Sequence, residues 1–204
     1  MLENKNLIKF IDQQFSKNDS AIIQEKISIY KDMLVDENRR INLISKTTID
    51  DIENRHFLDS IQLISLIANK SHSLLDIGTG AGLPGILLAI GGCKSVYLGE
   101  KQAKKCDFLN RVNKNLDLDM HILNLRIEDI VDKQFDYVVS RAFAKLNQII
   151  SITKNLTHKK SKYILLKGKT FLDEIKSVNK KRFNINYIDS ITSSDSKIIE
   201  LSYK

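Results

Sequence analysis

Apolar residues recur at helical spacing through the first 70 positions. Ile23, Ile27, Tyr30 and Leu34 form one stripe, and Ile52, Phe57, Ile61, Ile64 and Ile67 repeat the pattern further along. Steps of three and four residues place side chains on one face of a helix, so both runs predict helices. Asn38 to Ser45, rich in basic and amide side chains, reads as the connector between them, and the polar run Asn69-Lys70-Ser71-His72-Ser73 ends the second. After His72 the texture changes to short apolar runs separated by helical stretches, which predicts strands and helices alternating around a mainly parallel sheet. Strands are expected near Ser73 to Ile77, Ser95 to Gly99, Met120 to Leu125, Phe135 to Ser140, Tyr163 to Lys167, Asn184 to Asp189 and Lys197 to Tyr203, the last two close enough to form a hairpin. Helices are expected at Gly85 to Ile90, Lys101 to Leu116, Leu146 to Leu156 and Thr170 to Lys181. The fold class is therefore α/β, with a helical cap over residues 1–70 followed by a seven-stranded, mostly parallel sheet domain over 71–204.

Composition narrows this picture. The 204 residues suffice for one domain with a helical extension but not for two large domains. Apolar residues at 42% and charged residues at 28% exclude a disordered chain. The longest apolar stretch, Leu83 to Cys93, is interrupted by Pro84 and three glycines and falls short of the roughly 20 residues of a membrane span. The N-terminus lacks the features of a secretory signal, so a cytoplasmic protein without a membrane partner is expected. Cys93 and Cys106 match neither a disulfide framework nor a Cys-x-x-Cys pair, and His56, His72, His121 and His158 are scattered without ligand spacing, so no metal is expected. A formal charge of +7 favours a polyanionic partner without naming one.

The sharpest chemical signal is Leu74-Leu75-Asp76-Ile77-Gly78-Thr79-Gly80-Ala81-Gly82-Leu83-Pro84-Gly85, a predicted strand entering a glycine-dense turn and then a helix. Gly78, Gly80 and Gly82 let the backbone approach a ligand closely. Glu100 ends the next predicted strand 22 residues after Gly78, where a carboxylate can accept from both hydroxyls of a ribose. Gly80 to Gly85 also satisfies the G-x-G-x-x-G spacing of a dinucleotide site, which keeps an NAD-dependent oxidoreductase open. Asp76 weighs against it, because a carboxylate there repels a pyrophosphate and attracts the cationic amino-acid end of S-adenosylmethionine. The turn with its later Glu100 resembles the cofactor site of the class I, Rossmann-like methyltransferases.

Taken with Asn42-Leu43-Ile44-Ser45 and Arg55-His56-Phe57-Leu58-Asp59-Ser60 upstream and Ser140-Arg141-Ala142-Phe143-Ala144 downstream, the same turn resembles the glucose-inhibited division protein B family, the small-subunit (16S) ribosomal RNA guanine-N7 methyltransferases. The likeness runs from about Asn42 to Gly168. It implies S-adenosyl-L-methionine as cofactor, 16S ribosomal RNA or the small ribosomal subunit or its precursor as partner, and cofactor contacts at Gly78, Leu83, Ile127, Glu128 and Arg141. Leu87, where the family commonly has proline, and Glu100, where aspartate is more usual, are mild departures. Guanine N7 has an exposed lone pair and loses no proton on attack, so no general base is required and alignment carries the reaction.

Candidates for RNA contact are Arg39, Arg40, Asn42, His56, Arg141, Phe143 and Lys167. Several keep two readings. His56 and Asp59 either pair on one helix face to brace the cap or bond separately at its junction. Asn42 either reaches the RNA or caps a helix, and Phe143 either stacks on an unpaired base or packs in the core. Lys167 closes the predicted fifth strand, where the family keeps a lysine near the substrate mouth. Basic clusters at Arg39-Arg40, Lys101-Lys104-Lys105, His158-Lys159-Lys160-Lys162 and Lys180-Lys181-Arg182 are further phosphate candidates, those near carboxyl ends of strands ranking first. A monomer is expected, and a non-enzymatic RNA-binding or ribosome-assembly protein with a vestigial cofactor site remains the second alternative.

Overall fold

The first apolar stripe forms two helices, α1 (Lys5–Gln14) and α2 (Lys17–Glu37), in the computed structural model, which describes residues 1–204. Each starts on a side-chain cap that satisfies an orphan amide: Asn4 accepts from Leu7 N and Ser16 from Asp19 N. Ile23, Ile27, Tyr30 and Leu34 are all buried, as their spacing predicts. The second run is helical without keeping one period. Its intervals are five, four, three and three residues, and the backbone follows them: a π-helical turn over Glu53–Leu58, one α-turn, α3 (Asp59–Ile61), and a 3₁₀ stretch over Gln62–Leu66. A five-residue step suits i→i+5 bonding and three-residue steps suit i→i+3 bonding, so the expectation of one regular helix is corrected by the spacing itself.

The sheet holds β1 (Ser73–Ile77), β2 (Ser95–Gly99), β3 (Met120–Leu123), β4 (Phe135–Arg141), β5 (Thr157–Lys167), β6 (Phe183–Asp189) and β7 (Lys197–Tyr203) in the order β3-β2-β1-β4-β5-β7-β6. The first five strands are parallel, and β7 runs antiparallel to both β5 and β6, completing the expected hairpin. Helices α4 (Gly85–Ile90), α5 (Ala103–Asn115), α6 (Leu146–Ile152) and α7 (Phe171–Lys176) make four of the connections, and the crossover from β3 to β4 carries only a 3₁₀ turn, Ile127–Asp129. Three of these elements stop earlier than expected: β3 at Leu123, α6 at Ile152 and α7 at Lys176. In α7 the Ser177 hydroxyl donates to Glu174 O and closes the last turn. Strand β5 starts six residues earlier than expected, because its first half is polar and carries no alternation to read.

Alternate residues of the strands feed opposite faces. Leu74, Val96, Leu98, Val139, Ile164 and Leu166 join the larger core with α1, α2, α4 and α5, whereas Leu75, Ile77, Val138, Tyr163 and Leu165 join a smaller core under α6. Residues 1–70 thus have no core of their own: Leu7, Ile27 and Phe57 pack in the same cluster as the sheet. Strand order reverses between β1 and β4, which opens a crevice beyond their carboxyl ends, the usual ligand position in open α/β sheets.

Candidate functional site

The glycine turn leaves β1 into that crevice. Gly78, Gly80 and Gly82 have φ of 63°, 59° and 100°, the left-handed region that side chains disfavour. A Cβ on Gly78 would also overlap the ring of Phe143, so glycine is required there twice over. The turn is tied from below and from both sides. Asp76 Oδ2 accepts from Thr79 Oγ1 at 2.5 Å and from Gly85 N at 2.9 Å, Glu100 Oε2 accepts from Gly80 N at 3.2 Å, and Tyr30 OH donates to Ala81 O at 2.8 Å. Through Tyr30, helix α2 fixes the conformation of a turn 51 residues away in sequence.

Asp76 is fully buried, and its second oxygen, Oδ1, has no partner. Burial pushes its carboxyl up to about 7, against the hydrogen bonds from Thr79 and Gly85 and the charge of Arg141. Arg141, at the end of β4, donates to Arg55 O at 3.2 Å; burial lowers its basicity while Asp59, Tyr30 and Asp76 oppose the change. Glu100 is 7% exposed and uses each oxygen once, toward Gly80 N and Gln102 N (2.9 Å), which leaves acceptor capacity on both.

Two concavities meet here. A cavity of about 330 Å³ is lined by Gly78, Gly99, Glu100, Ile127, Glu128 and Phe143 among others. An open cleft of about 820 Å³ is lined by Arg55, Asp59, Arg141, Phe143, Lys167 and Thr192 among others. Phe143 borders both and is 40% exposed, so of its two sequence readings core packing is excluded. The preceding Ala142 takes φ of 53°, a strained value for alanine that turns the chain sharply after Arg141.

The structure thus gathers Asp76, the three glycines, Glu100, Ile127, Glu128, Arg141 and Phe143 around one crevice. Leu83 is buried in the larger core behind the turn. His56 is 7% exposed and bonded to Thr48 Oγ1 at 2.7 Å; burial, then Arg141 and Arg55, push it down to about 3, so it is neutral and out of reach of phosphate. It does not pair with Asp59, whose Oδ1 instead accepts from Gln62, Ser190 and Thr192 and ties the helical segment to the turn after β6. Lys167 is engaged by Glu174 at 2.8 Å and by Ala144 O, so its cation braces the cleft wall. Arg39, Arg40 and Asn42 lie on a separate concave loop, with Arg39 3.5 Å from Asp36 and Arg40 4.0 Å from Glu37. There Asn38, not Asn42, caps the loop by accepting from Leu43 N and Ile44 N. Sequence reasoning gave Arg55 no role of its own although it opens the Arg55–Ser60 block, and it missed Gln148 and the site-side role of Tyr30, neither of which stands in a recognisable motif.

Solved structures with the same fold include a magnesium protoporphyrin IX methyltransferase from Synechocystis with bound SAM (TM-score 0.62, 17% identity, 86% of this chain and 97% of that one). An rRNA methylase from Streptococcus thermophilus is similar too (TM-score 0.55, 12% identity, 71% of this chain and 93% of that one). Proteins named ribosomal RNA small subunit methyltransferase G are far nearer in sequence. That of Rickettsia bellii is 42% identical over 179 residues, covering 87% of this chain and 92% of its own length. That of Rickettsia prowazekii is 42% identical over 188 residues, covering 91% and 96%. The family described as rRNA small subunit methyltransferase G (GidB) matches residues 23–197, and with relatives this similar along almost their whole length, the chain belongs to that family.

Proposed function

We propose that this enzyme transfers a methyl group from S-adenosylmethionine to N7 of a guanine in 16S ribosomal RNA, taken as the small subunit or its precursor. The observation that carries the reading is the glycine turn braced by Asp76 and Glu100 at the strand-order reversal of a chain of this family. The residues present fit the cofactor. Asp76 Oδ1 is an orphaned buried carboxylate oxygen suited to an ammonium, Glu100 has acceptor capacity for ribose hydroxyls, and a volume of about 330 Å³ suits a nucleoside-sized ligand. When bound, S-adenosylmethionine supplies an electrophilic methyl on a sulfonium.

The protein's own task is alignment. Gly78, Gly80, Gly82 and the backbone of Leu83 shape the amino-acid side of the cofactor site, Glu100 holds the ribose, and Ile127 and Glu128 cover the adenine, with the Glu128 carboxylate accepting from its amine. Arg141 sits where the two concavities join and offers its cation to the cofactor carboxylate or an RNA phosphate. Phe143 presents an aromatic face to the target base. No side chain is needed to remove a proton, since N7 attacks through a free lone pair. Orienting the reactants is worth up to about 7 to 11 kcal/mol in well-aligned systems. Neither the family nor the relatives above support the nicotinamide or vestigial-site alternatives.

The test is transfer of labelled methyl to small subunits from a strain lacking the activity. Label recovered as 7-methylguanosine in 16S RNA is expected. Normal cofactor binding in calorimetry with no labelled RNA would overturn the substrate assignment.

A further inference from the structure

The opposite end of the sheet carries another concavity, of about 560 Å³, lined by nine residues of which none is Asp or Glu. Lys154, Lys159, Lys181, Arg182 and Lys204 bring five cationic side chains to it from four separate stretches of chain, following α6, within β5, before β6 and after β7. None of the five is in an ion pair. Converging cations repel one another across a concave surface, and a polyanion relieves that repulsion.

The backbone here is built to hold them. Along the β4–β5 ladder the pairing passes from Phe135↔Thr157 to Tyr137↔Lys162, two steps on β4 against five on β5, so three extra residues bulge outward. Ser161, fully buried, pins the bulge: its hydroxyl donates to Phe135 O at 2.7 Å and accepts from His158 N at 2.8 Å. Lys160 N donates to His158 Nδ1 at 3.2 Å, and His158 Nε2 lies 3.3 Å from Asp136 Oδ1, the one carboxylate engaged beside the bulge. Across the pocket the Arg182 guanidinium lies over the rings of Phe183 and Tyr203, 5.6 and 5.4 Å from their centroids, which preorganises its flat cation.

We propose that this basic surface binds the phosphate backbone of the RNA substrate at a point remote from the methylated base. The inference rests on the RNA reading above. Tyr203 is the one large hydrophobic side chain in the lining, too little apolar surface for the centre of a protein interface, so phosphate is the better match. Strand β5 runs from Thr157 at this end to Lys167 at the catalytic cleft, and with its three bulged residues left out it advances about seven steps or about 23 Å, so one RNA reaching both sites spans about seven nucleotides or more.

The test compares wild type with Lys154→Gln/Lys159→Gln/Lys181→Gln, all exposed side chains. Substrates are long 16S RNA, a short RNA holding only the methylated loop, and assembled subunits. For long RNA the KM is expected to rise at least tenfold, and the slope of log affinity against log salt to shrink by about 2 to 3, at roughly 0.7 per lost contact on a single strand and 0.9 on a duplex. Cofactor affinity, kcat at saturating RNA and KM for the short RNA stay unchanged. An unchanged KM and salt slope on long RNA overturns the proposal, as does an equal loss on the short RNA. A loss confined to assembled subunits also overturns it and assigns the surface to an acidic protein. Failure of wild type to methylate any RNA sinks the function proposed above; filter binding of the same long RNA to both proteins still decides this inference.

Discussion

Replacing Asp76 by asparagine separates the charge of this carboxylate from its shape. The side chain is fully buried, and burial lifts its carboxyl from an ordinary 3.8 to about 7. A folded pKa above the unfolded one means that the folded protein holds the proton more tightly. The resulting stabilisation is complete below about pH 4, shrinks as pH rises, and is gone above about pH 7. At 1.36 kcal/mol per unit the full range is about 4 kcal/mol, of which about 2 to 3 kcal/mol falls between pH 5 and pH 7. Asparagine keeps an acceptor for Thr79 Oγ1 and Gly85 N and does not ionise. Its unfolding free energy relative to wild type is therefore expected to rise by about 2 to 3 kcal/mol over that interval. His56 acts in the opposite sense, because burial takes it from 6.5 to about 3 and stability is lost as pH falls through that window. Subtracting the two proteins' curves cancels His56. Urea unfolding at pH 5, 6, 7 and 7.5 reads the difference, and parallel curves would refute the argument that burial holds the proton on Asp76. Calorimetry at pH 8 adds a second readout: losing a charged partner for the cofactor ammonium is expected to weaken binding about 10- to 100-fold, from 1.5 to 3 kcal/mol for such a bond.

Gly78→Ala places a side chain at φ 63° and into the Phe143 ring, so cofactor affinity is expected to fall at least tenfold and stability by about 1 to 3 kcal/mol; calorimetry and urea melts check both. Phe143→Ala removes an aromatic face worth about 1 to 3 kcal/mol per stacked base, so kcat/KM for RNA is expected to drop about tenfold or more while cofactor Kd moves less than threefold; equal effects on both would contradict the split. Tyr30→Phe deletes the bond to Ala81 O and is expected to cost about 1 kcal/mol in thermal unfolding with a small rise in cofactor Kd. Glu53 accepts from Glu3 N, Asn4 N and Lys31 Nζ, so Glu53→Ala is expected to lose about 2 to 3 kcal/mol and to raise amide exchange over residues 3–14, with methyl-transfer rates retained in the folded protein.

How far the sequence could be read depended on whether a residue's role is written in local pattern. The parallel strands were legible because Leu74, Leu75 and Ile77 around Asp76, and Val138 and Val139, are apolar residues buried on both sides, a signal independent of distant partners. The glycine turn was legible because left-handed backbone and close approach admit few residue types. The π and 3₁₀ turns after Ile52 were encoded in the five- and three-residue intervals, but a tolerance wide enough for helices blurs those intervals into one period. The early half of β5 was invisible because its residues answer to a bulge and a polar surface rather than to alternation. At the site, residue type and order identified Asp76 and Glu100, whereas the fates of His56 and Lys167 depended on Thr48 and Glu174, partners that only the fold brings near. Ranking basic clusters by nearness to strand carboxyl ends likewise passed over the amino-end surface, since three chain segments meet there without a shared motif.

The position of β7 has a genetic consequence. It follows β6 in the chain yet lies between β5 and β6, and β6 has no other neighbour in the sheet. A chain stopped before Lys197 leaves the edge of β5 open and strands β6 against nothing, even though every crevice-lining residue named above has already been translated. Nonsense and frameshift alleles that stop the chain between the end of β6 and Lys197 are therefore expected to behave as nulls, as severe as early ones, while missense changes on the exposed face of β6 are tolerated.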